Sequence, residues 1–368
     1  MWKRGRVKMT IEWLAGNRLR GTTAERPNFG SVPSGSVGGW VELARTTLGS
    51  NNANINISSI PDKRYYMLLS DIDLTDAGTG GGMRLGSGSA DTGSNYAIRA
   101  SGDGGADGAY VNRVNAHWVG GYGDTPEFYV TYIANKSDKE KLVLSHRIYG
   151  ATESGAGHAP KRTEFVGKWT NTSNPLDYIN YYQSGSDQYA SGSELVLLGW
   201  DPEDTHTTNF WEELDSTQGS GTAELDTSSF TAKKYLWIQA YMDKDTTADT
   251  VCRFNLDTGS NYSQRLSSNG GSDNTNTSIG YFYPHSGMST HLGSLVNMFI
   301  INNSANEKLI ISHTVSQATT GAGNAPSRIE LVGKWANTSS QITQFSLDRF
   351  SGSGVLDSNT WIKVWGSD

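Results

Sequence analysis

The chain has 368 residues, of which 18% are charged and 10% aromatic, with 43 glycines and a formal net charge of −7. This balance excludes a disordered chain, which would be poor in aromatics, and a long-helix protein, which would be rich in Ala, Leu, Glu and Lys. The negative charge excludes general nucleic-acid binding, the lone Cys252 excludes an intrachain disulfide, and no run is apolar enough to cross a bilayer as a helix, so neither nucleic acid nor membrane insertion is expected.

Residues 1–39 have no counterpart elsewhere in the chain and read as an N-terminal arm. They carry Lys3, Arg4, Arg6, Lys8, Arg18, Arg20 and Arg26 against Glu12 and Glu25. Such a basic segment either seeks an acidic partner or is a solvated terminus. It lacks the apolar stretch of a signal peptide, and Met9 is an alternative start to Met1. Ile11, Trp13 and Leu14 in "IEWLAG" need a partner surface, so with Arg18 and Arg20 they are the expected assembly contacts, adding a strand to an open sheet edge of a neighbouring subunit.

From Trp40 onward the chain is written twice. "GAGHAPKRTEFVGKWTNTS" begins at Gly155 and "GAGNAPSRIELVGKWANTS" at Gly321, identical at about fourteen of nineteen positions. "DTGSNY" recurs at Asp91 and Asp257, and "EKLVLSH" ending at His146 returns as "EKLIISH" ending at His313. A near-constant offset of this size marks duplicated domains and not a short solenoid repeat. The expected division is repeat 1 over 40–200, a polar linker over 201–209 and repeat 2 over 210–368.

In repeat 1, "SDIDLTD" offers Asp71, Asp73 and Asp76; repeat 2 offers Asp243, Asp245 and Asp249. Calcium at these sandwich loops is one reading, but the twelve-residue EF-hand pattern is absent and turn aspartates are the commoner explanation. The run "GTGGGMRLGSGS" lacks the Lys-Ser/Thr ending and helix of a phosphate loop. Asp91 and Asp257 read as turn residues. Tyr110, Trp118 and Tyr122, then Tyr178, Tyr181 and Tyr182, are aromatics of repeat 1; Tyr281 and Tyr283 stand in the divergent part of repeat 2. Beside Asn, Asp and Gly they are candidate glycan or protein contacts, weighed against ordinary strand packing. His146 and His313 hold matching positions. One reading is a catalytic or metal histidine per domain. The favoured reading is a partly buried histidine satisfied by backbone, because no second histidine at ligand spacing recurs.

"RTEFVGKW" alternates: Phe165, Gly167 and Trp169 share one face, as do Leu331, Gly333 and Trp335. Trp169 and Trp335 are expected in the cores, and each glycine where another backbone or ring approaches closely. In repeat 2 the expected strands are 233–243, 251–256, 262–267, 278–283, 295–303, 308–317, 328–336, 341–348 and 360–365, nine or ten per unit. With turn signals between them and no amphipathic helix, the fold class is all-β: two tandem homologous antiparallel β-sandwiches of jelly-roll or concanavalin-like type. No catalytic, cofactor-binding or metal residue is assigned, although glycosidases leave little local signature.

"MTIEWLAGNRLRGTTAERP", "GGWVELARTTLGS", "PDKRYYMLL", "NKSDKEKL" and "FVGKW" resemble virion structural proteins of environmental tailed viruses. That resemblance implies a non-enzymatic particle component, such as a capsid decoration, head fibre or tail fibre, on a virion surface or outside the cell. It implies partners that are further copies of the chain and other virion proteins. A carbohydrate-binding attachment module is the alternative, ahead of an extracellular filament subunit or a polysaccharide-cleaving enzyme.

Overall fold

The computed structural model describes residues 12–14, 18–20, 39–76, 80–120, 125–150, 153–201, 209–243, 250–284, 293–317, 321–350 and 355–368. Among these residues there are strands and turns and no helix. The chain is all-β, and every strand pairing is antiparallel.

Among the described residues, strands β1 (Glu12–Leu14) and β2 (Arg18–Arg20) pair with each other and with no other strand. Trp13, Leu14, Arg18 and Arg20 fall in this hairpin, and Ile11 lies outside the described residues.

The first sandwich holds β3 (Val41–Thr47), β4 (Asn54–Ser58), β5 (Tyr65–Ile72), β6 (Gly81–Gly86), β7 (Tyr96–Gly102), β8 (Gly108–Arg113), β9 (His117–Val119), β10 (Glu127–Ala134), β11 (Lys141–Tyr149), β12 (Lys161–Trp169), β13 (Tyr178–Gln183) and β14 (Glu194–Trp200). They form an eight-stranded sheet in the order β3-β14-β5-β10-β11-β12-β7-β8 and a four-stranded sheet in the order β4-β13-β6-β9. The second sandwich holds β15 (Glu212–Gln218), β16 (Glu224–Asp226), β17 (Tyr235–Asp243), β18 (Thr250–Phe254), β19 (Tyr262–Ser268), β20 (Asn274–Ile279), β21 (Gly293–Ile301), β22 (Lys308–Gln317), β23 (Ser327–Trp335), β24 (Phe345–Arg349) and β25 (Trp361–Ser367). Its eight-stranded sheet runs β15-β25-β17-β21-β22-β23-β19-β20, strand for strand the order of the first, and its smaller sheet runs β16-β24-β18. Register repeats too: His146 faces Glu164 across β11 and β12, and His313 faces Glu330 across β22 and β23. Residues 202–208, most of the expected linker, lie outside the described residues.

Two differences from the sequence reading concern exposed segments. The strand expected over 278–283 lies earlier, at Asn274–Ile279, leaving only an isolated bridge from Phe282 to Cys252. The edge strands β15 and β16 were not expected. "EELDSTQ" is mostly exposed and has no apolar alternation to announce it.

Alternation within each strand builds the two cores. Tyr66, Leu68, Tyr129, Val143, Trp169 and Leu197 of the large sheet meet Ile55, Met83, Leu85, Ile179 and Tyr181 of the small one. The second core repeats this with Ile238, Val296, Ile310 and Trp335 against Cys252, Phe254, Phe345 and Leu347. Trp169 and Trp335 are both buried, as the alternation predicts, and each indole donates to a turn carboxylate: Trp169 Nε1 to Asp91 at 2.8 Å and Trp335 Nε1 to Asp257 at 2.7 Å. The glycine expectation also holds. A Cβ on Gly167 would meet the Ala116 carbonyl oxygen at 2.4 Å, and one on Gly333 would meet the Phe282 ring at 2.4 Å.

A third apolar layer joins the sandwiches, which are therefore not beads on a linker. Met67, Leu69, Phe128, Val130, Ile148, Val196 and Leu198 on the outer face of the first large sheet pack with Trp211, Tyr235, Phe299, Ile301, Leu309, Ile311 and Val332 on that of the second. Polar contacts rim this layer. Lys234 bridges Asp71 and Glu194, each at 3.0 Å; Asn303 donates to Asp71 at 2.9 Å, and Tyr235 donates to Glu194 at 2.8 Å. On the opposite flank the hairpin between β11 and β12 reaches across. Ala156 O accepts from Ser278 N at 2.7 Å, His158 O from Ser263 Oγ at 3.0 Å, and Pro160 O from Arg265 Nε at 2.9 Å. "GAGHAP" thus clasps the second sandwich, whereas its twin, residues 321–326, is exposed.

Candidate functional site

A cavity of about 690 Å³ opens at one end of the first sandwich, between β7, β8 and β12 of the large sheet and β6, β9 and β13 of the small one. Each wall has a sequence cause. "GGGMRLG" from Gly80 supplies the lean wall: a Cβ on Gly81 would strike the Tyr182 carbonyl oxygen at 1.6 Å, and one on Gly82 the Asn115 amide at 2.2 Å. Those glycines let β6 press against β13 and the Asn115 side chain, a packing role and not phosphate binding.

The aromatic wall comes from Tyr110, Trp118 and Tyr182. Trp118 stands edge-on to Tyr110, centroids 4.8 Å apart, and edge-on to Phe165 at 5.7 Å. The Arg84 guanidinium lies 3.5 Å from the Tyr182 ring centroid, an attraction of about 0.5–2 kcal/mol that fixes the ring. Polar groups converge on the same space. Asn115 Nδ2 donates to Tyr182 Oη at 3.3 Å, while Asn115 Oδ1 and Arg113 Nε are buried and have no hydrogen-bond partner among the described residues. Both atoms have essentially no accessible surface, so they lie behind the cleft wall and carry a desolvation cost of about 1–3 kcal/mol each.

The floor is a buried ion pair. Arg147 meets Glu127, and the Glu127 carboxylate also accepts from Tyr129. Burial raises the Tyr129 phenol well above its ordinary pKa, so it stays a donor. His117 at the start of β9 is fully buried against Tyr129 and Phe165, and burial pushes its pKa down to about 4. Among the described lining residues Asp103 is the one carboxylate, and it is already engaged with Arg265 at 3.4 Å and Lys161 at 3.9 Å.

The structure thus gathers Tyr110, Trp118 and Tyr182 at one site. Tyr181 is a core residue with no exposure and is removed from the candidate contacts: strand alternation turns it inward, where its hydroxyl meets Ser70 at 2.9 Å. Tyr178 is half-buried at the start of β13, away from the cleft lining, and Tyr122 lies outside the described residues. Tyr281 and Tyr283 bond to each other at 2.8 Å and pack with Phe350. Register places Asn276, Tyr283 and Asp348 of the second sandwich where the first has Tyr110, Trp118 and Tyr182, so the middle aromatic recurs and the full trio belongs to the first copy. Sequence reasoning missed Arg113 and Asn115, which read as loop residues until β8 and β9 enclose them.

Asp71 serves the inter-sandwich layer, Asp73 caps the Leu74 amide at 3.1 Å, and Asp76 is exposed. Asp243 accepts from Asn359 at 3.2 Å, and Asp245 and Asp249 lie outside the described residues. No three of these aspartates converge as metal ligands among the described residues.

The histidine reading needs correction. His146 and His313 are half-buried and face each other across the inter-sandwich layer, ring centroids 4.4 Å apart. Neither imidazole has a hydrogen-bond partner among the described residues, so backbone does not satisfy them. Burial pushes their pKa values down to about 4 and about 3. Glu164 stands beside them; burial raises its carboxyl to about 7, with Arg162 opposing and Glu330 reinforcing that rise.

No family model and no curated protein matches the chain. Among solved structures, the LG1-3 region of the laminin alpha2 chain aligns at 5% identity and TM-score 0.20, over 88% of this chain and 62% of that one. Mouse laminin alpha1 domains LG4-5 align at 10% identity and TM-score 0.17, over 89% and 90% of the two chains. Neisserial surface protein A aligns at 7% identity and TM-score 0.11, over 79% and 99%. At these scores none of the three bears on the function.

Proposed function

We propose that the chain is a non-catalytic attachment protein of the virion-surface type its sequence resembles, and that the cleft of its first sandwich binds a cell-surface glycan. The observation that carries this reading is the meeting of Tyr110, Trp118 and Tyr182 with the polar residues Arg113 and Asn115 in the lining of one cavity of about 690 Å³. That volume lies within the range of about 300–1,000 Å³ usual for small-ligand sites. Aromatic faces and edges take the apolar C–H faces of a sugar ring, and the polar side chains of the lining take its hydroxyls. A glycosidase needs two carboxylates flanking the scissile bond; the described lining offers Asp103 alone, already paired. Isothermal titration against a panel of bacterial surface oligosaccharides, with mass spectrometry of the recovered ligand, tests this. Saturable binding of an intact ligand, weakened at least tenfold by Trp118→Ala, is expected; a cleaved product contradicts the proposal.

Assembly is a second reading, favoured by the outer face of the first large sheet. Leu142, Leu144 and Val166 are 56%, 43% and 48% exposed there, while their counterparts Leu309, Ile311 and Val332 are covered by the first sandwich. Leu295 and Val315, counterparts of the covering Phe128 and Ile148, are themselves 44% and 45% exposed. A second copy of the chain would match its Leu295 and Val315 to Leu142, Leu144 and Val166, repeating the internal contact between molecules. Light scattering with size-exclusion chromatography should show concentration-dependent oligomers that Leu144→Asp with Val166→Asp abolishes; a wild-type monomer at all concentrations contradicts it.

A further inference from the structure

We propose that His146, His313 and Glu164 form a transition-metal site that pins the two sandwiches together. The duplication supplies one histidine per copy, on β11 and on β22, and face-to-face packing of the large sheets brings the pair together. Their ring nitrogens and a Glu164 carboxylate oxygen all lie within 4.8 Å of one another, around a gap of about 10 Å³. Around a tetrahedral ion with bonds near 2.1 Å, ligand atoms sit about 3.4 Å apart, so side-chain shifts on the order of 1 Å close the set.

Three features favour a metal over simple packing. Neither imidazole has a hydrogen-bond partner among the described residues, which leaves a ring nitrogen of each free to ligate. Two imidazoles with one carboxylate suit zinc, cobalt, nickel or copper, not calcium or magnesium. Carboxylates stand at the site to offset a dication, against the nearby Arg162 and Arg328 guanidiniums. Arg162 touches Glu164 and Glu330 but is held by Asp273 through contacts of 2.8 and 3.1 Å, and Glu330 is also paired with Arg328 at 2.8 Å. Glu164 is therefore the carboxylate positioned to turn to a metal, with Glu330 supporting it or closing a fourth position. Cysteine plays no part, since Cys252 is buried in the second core.

The test uses the full-length chain, free of affinity tag and stripped of metal, titrated with Zn²⁺ and separately with Co²⁺. One equivalent should bind, Co²⁺ should develop visible absorption of a nitrogen- and oxygen-ligated ion, and the unfolding midpoint should rise by several degrees at about a hundred times the dissociation constant. His146→Gln and His313→Gln should each abolish binding while leaving the metal-free midpoint near wild type, and Glu164→Gln should weaken it about tenfold. His158→Gln, removing an exposed histidine paired with Glu153, should change nothing. Absence of saturable binding, or binding that survives both His146→Gln and His313→Gln, overturns the proposal. Loss of binding in His158→Gln alone would assign the metal to the exposed pair and overturn it equally.

Discussion

Asp91 and Asp257 show how far a single residue could be read. Both were legible as turn residues, and each holds its turn by accepting from a glycine amide at 2.8 Å. Their second role was not legible, because the partner indoles of Trp169 and Trp335 are 78 residues away in the chain. Asp91→Ala should therefore destabilise the first sandwich by about 1–3 kcal/mol, more than an exposed turn substitution, because it orphans a buried indole N–H. Urea denaturation checks this. His117 carries a pH signature. Its folded pKa of about 4 lies below the unfolded value of 6.5, so the unfolded state binds the extra proton between these values. Its contribution is intact above pH 6.5 and lost as pH falls toward 4, a loss on the order of a few kcal/mol at pH 4.5. His117→Phe should remove that part of the acid sensitivity, read as a smaller change in denaturation midpoint between pH 7 and pH 4.5.

Strands with strict alternation were legible; those whose pattern is polar were not. β12 and β23 announced themselves through "FVGKW" and "LVGKW", while edge strand β15 borrows its order from β25 and shows no period of its own. Of the cleft, Tyr110, Trp118 and Tyr182 were legible as divergent aromatics, but Tyr181 looked equivalent until the register of β13 turned it inward. The glycines of the two twin strands separate two kinds of close approach. Gly167→Ala would drive a methyl against the Ala116 backbone oxygen, whereas Gly333→Ala would press on the Phe282 ring. A ring can tilt more readily than a backbone carbonyl can shift. Gly167→Ala should cost more stability than Gly333→Ala, by about 1–2 kcal/mol, in paired thermal denaturation experiments; the reverse order would count against the packing described.

At the scale of the whole molecule, duplication was plain in the sequence, but the way the copies meet was not. An outer sheet face reads as solvent-exposed or buried only when its partner is known. Met67, Leu69, Phe128 and Val130 could have served a core, a ligand or a subunit. Because this third layer ties the sandwiches, equilibrium unfolding should be a single transition, and Lys234→Ala, which strips Asp71 and Glu194 of their shared cation, should begin to separate it into two. The same layer leaves the cleft at one end of a fixed body, a placement that suits the proposed attachment role. A glycan array probed with the wild-type chain and with Tyr110→Ala/Trp118→Ala tests the central claim most directly. The account predicts a restricted set of bound glycans that the double variant loses while keeping its fold. Equal binding by both proteins, or none by the wild type across the array, would contradict it.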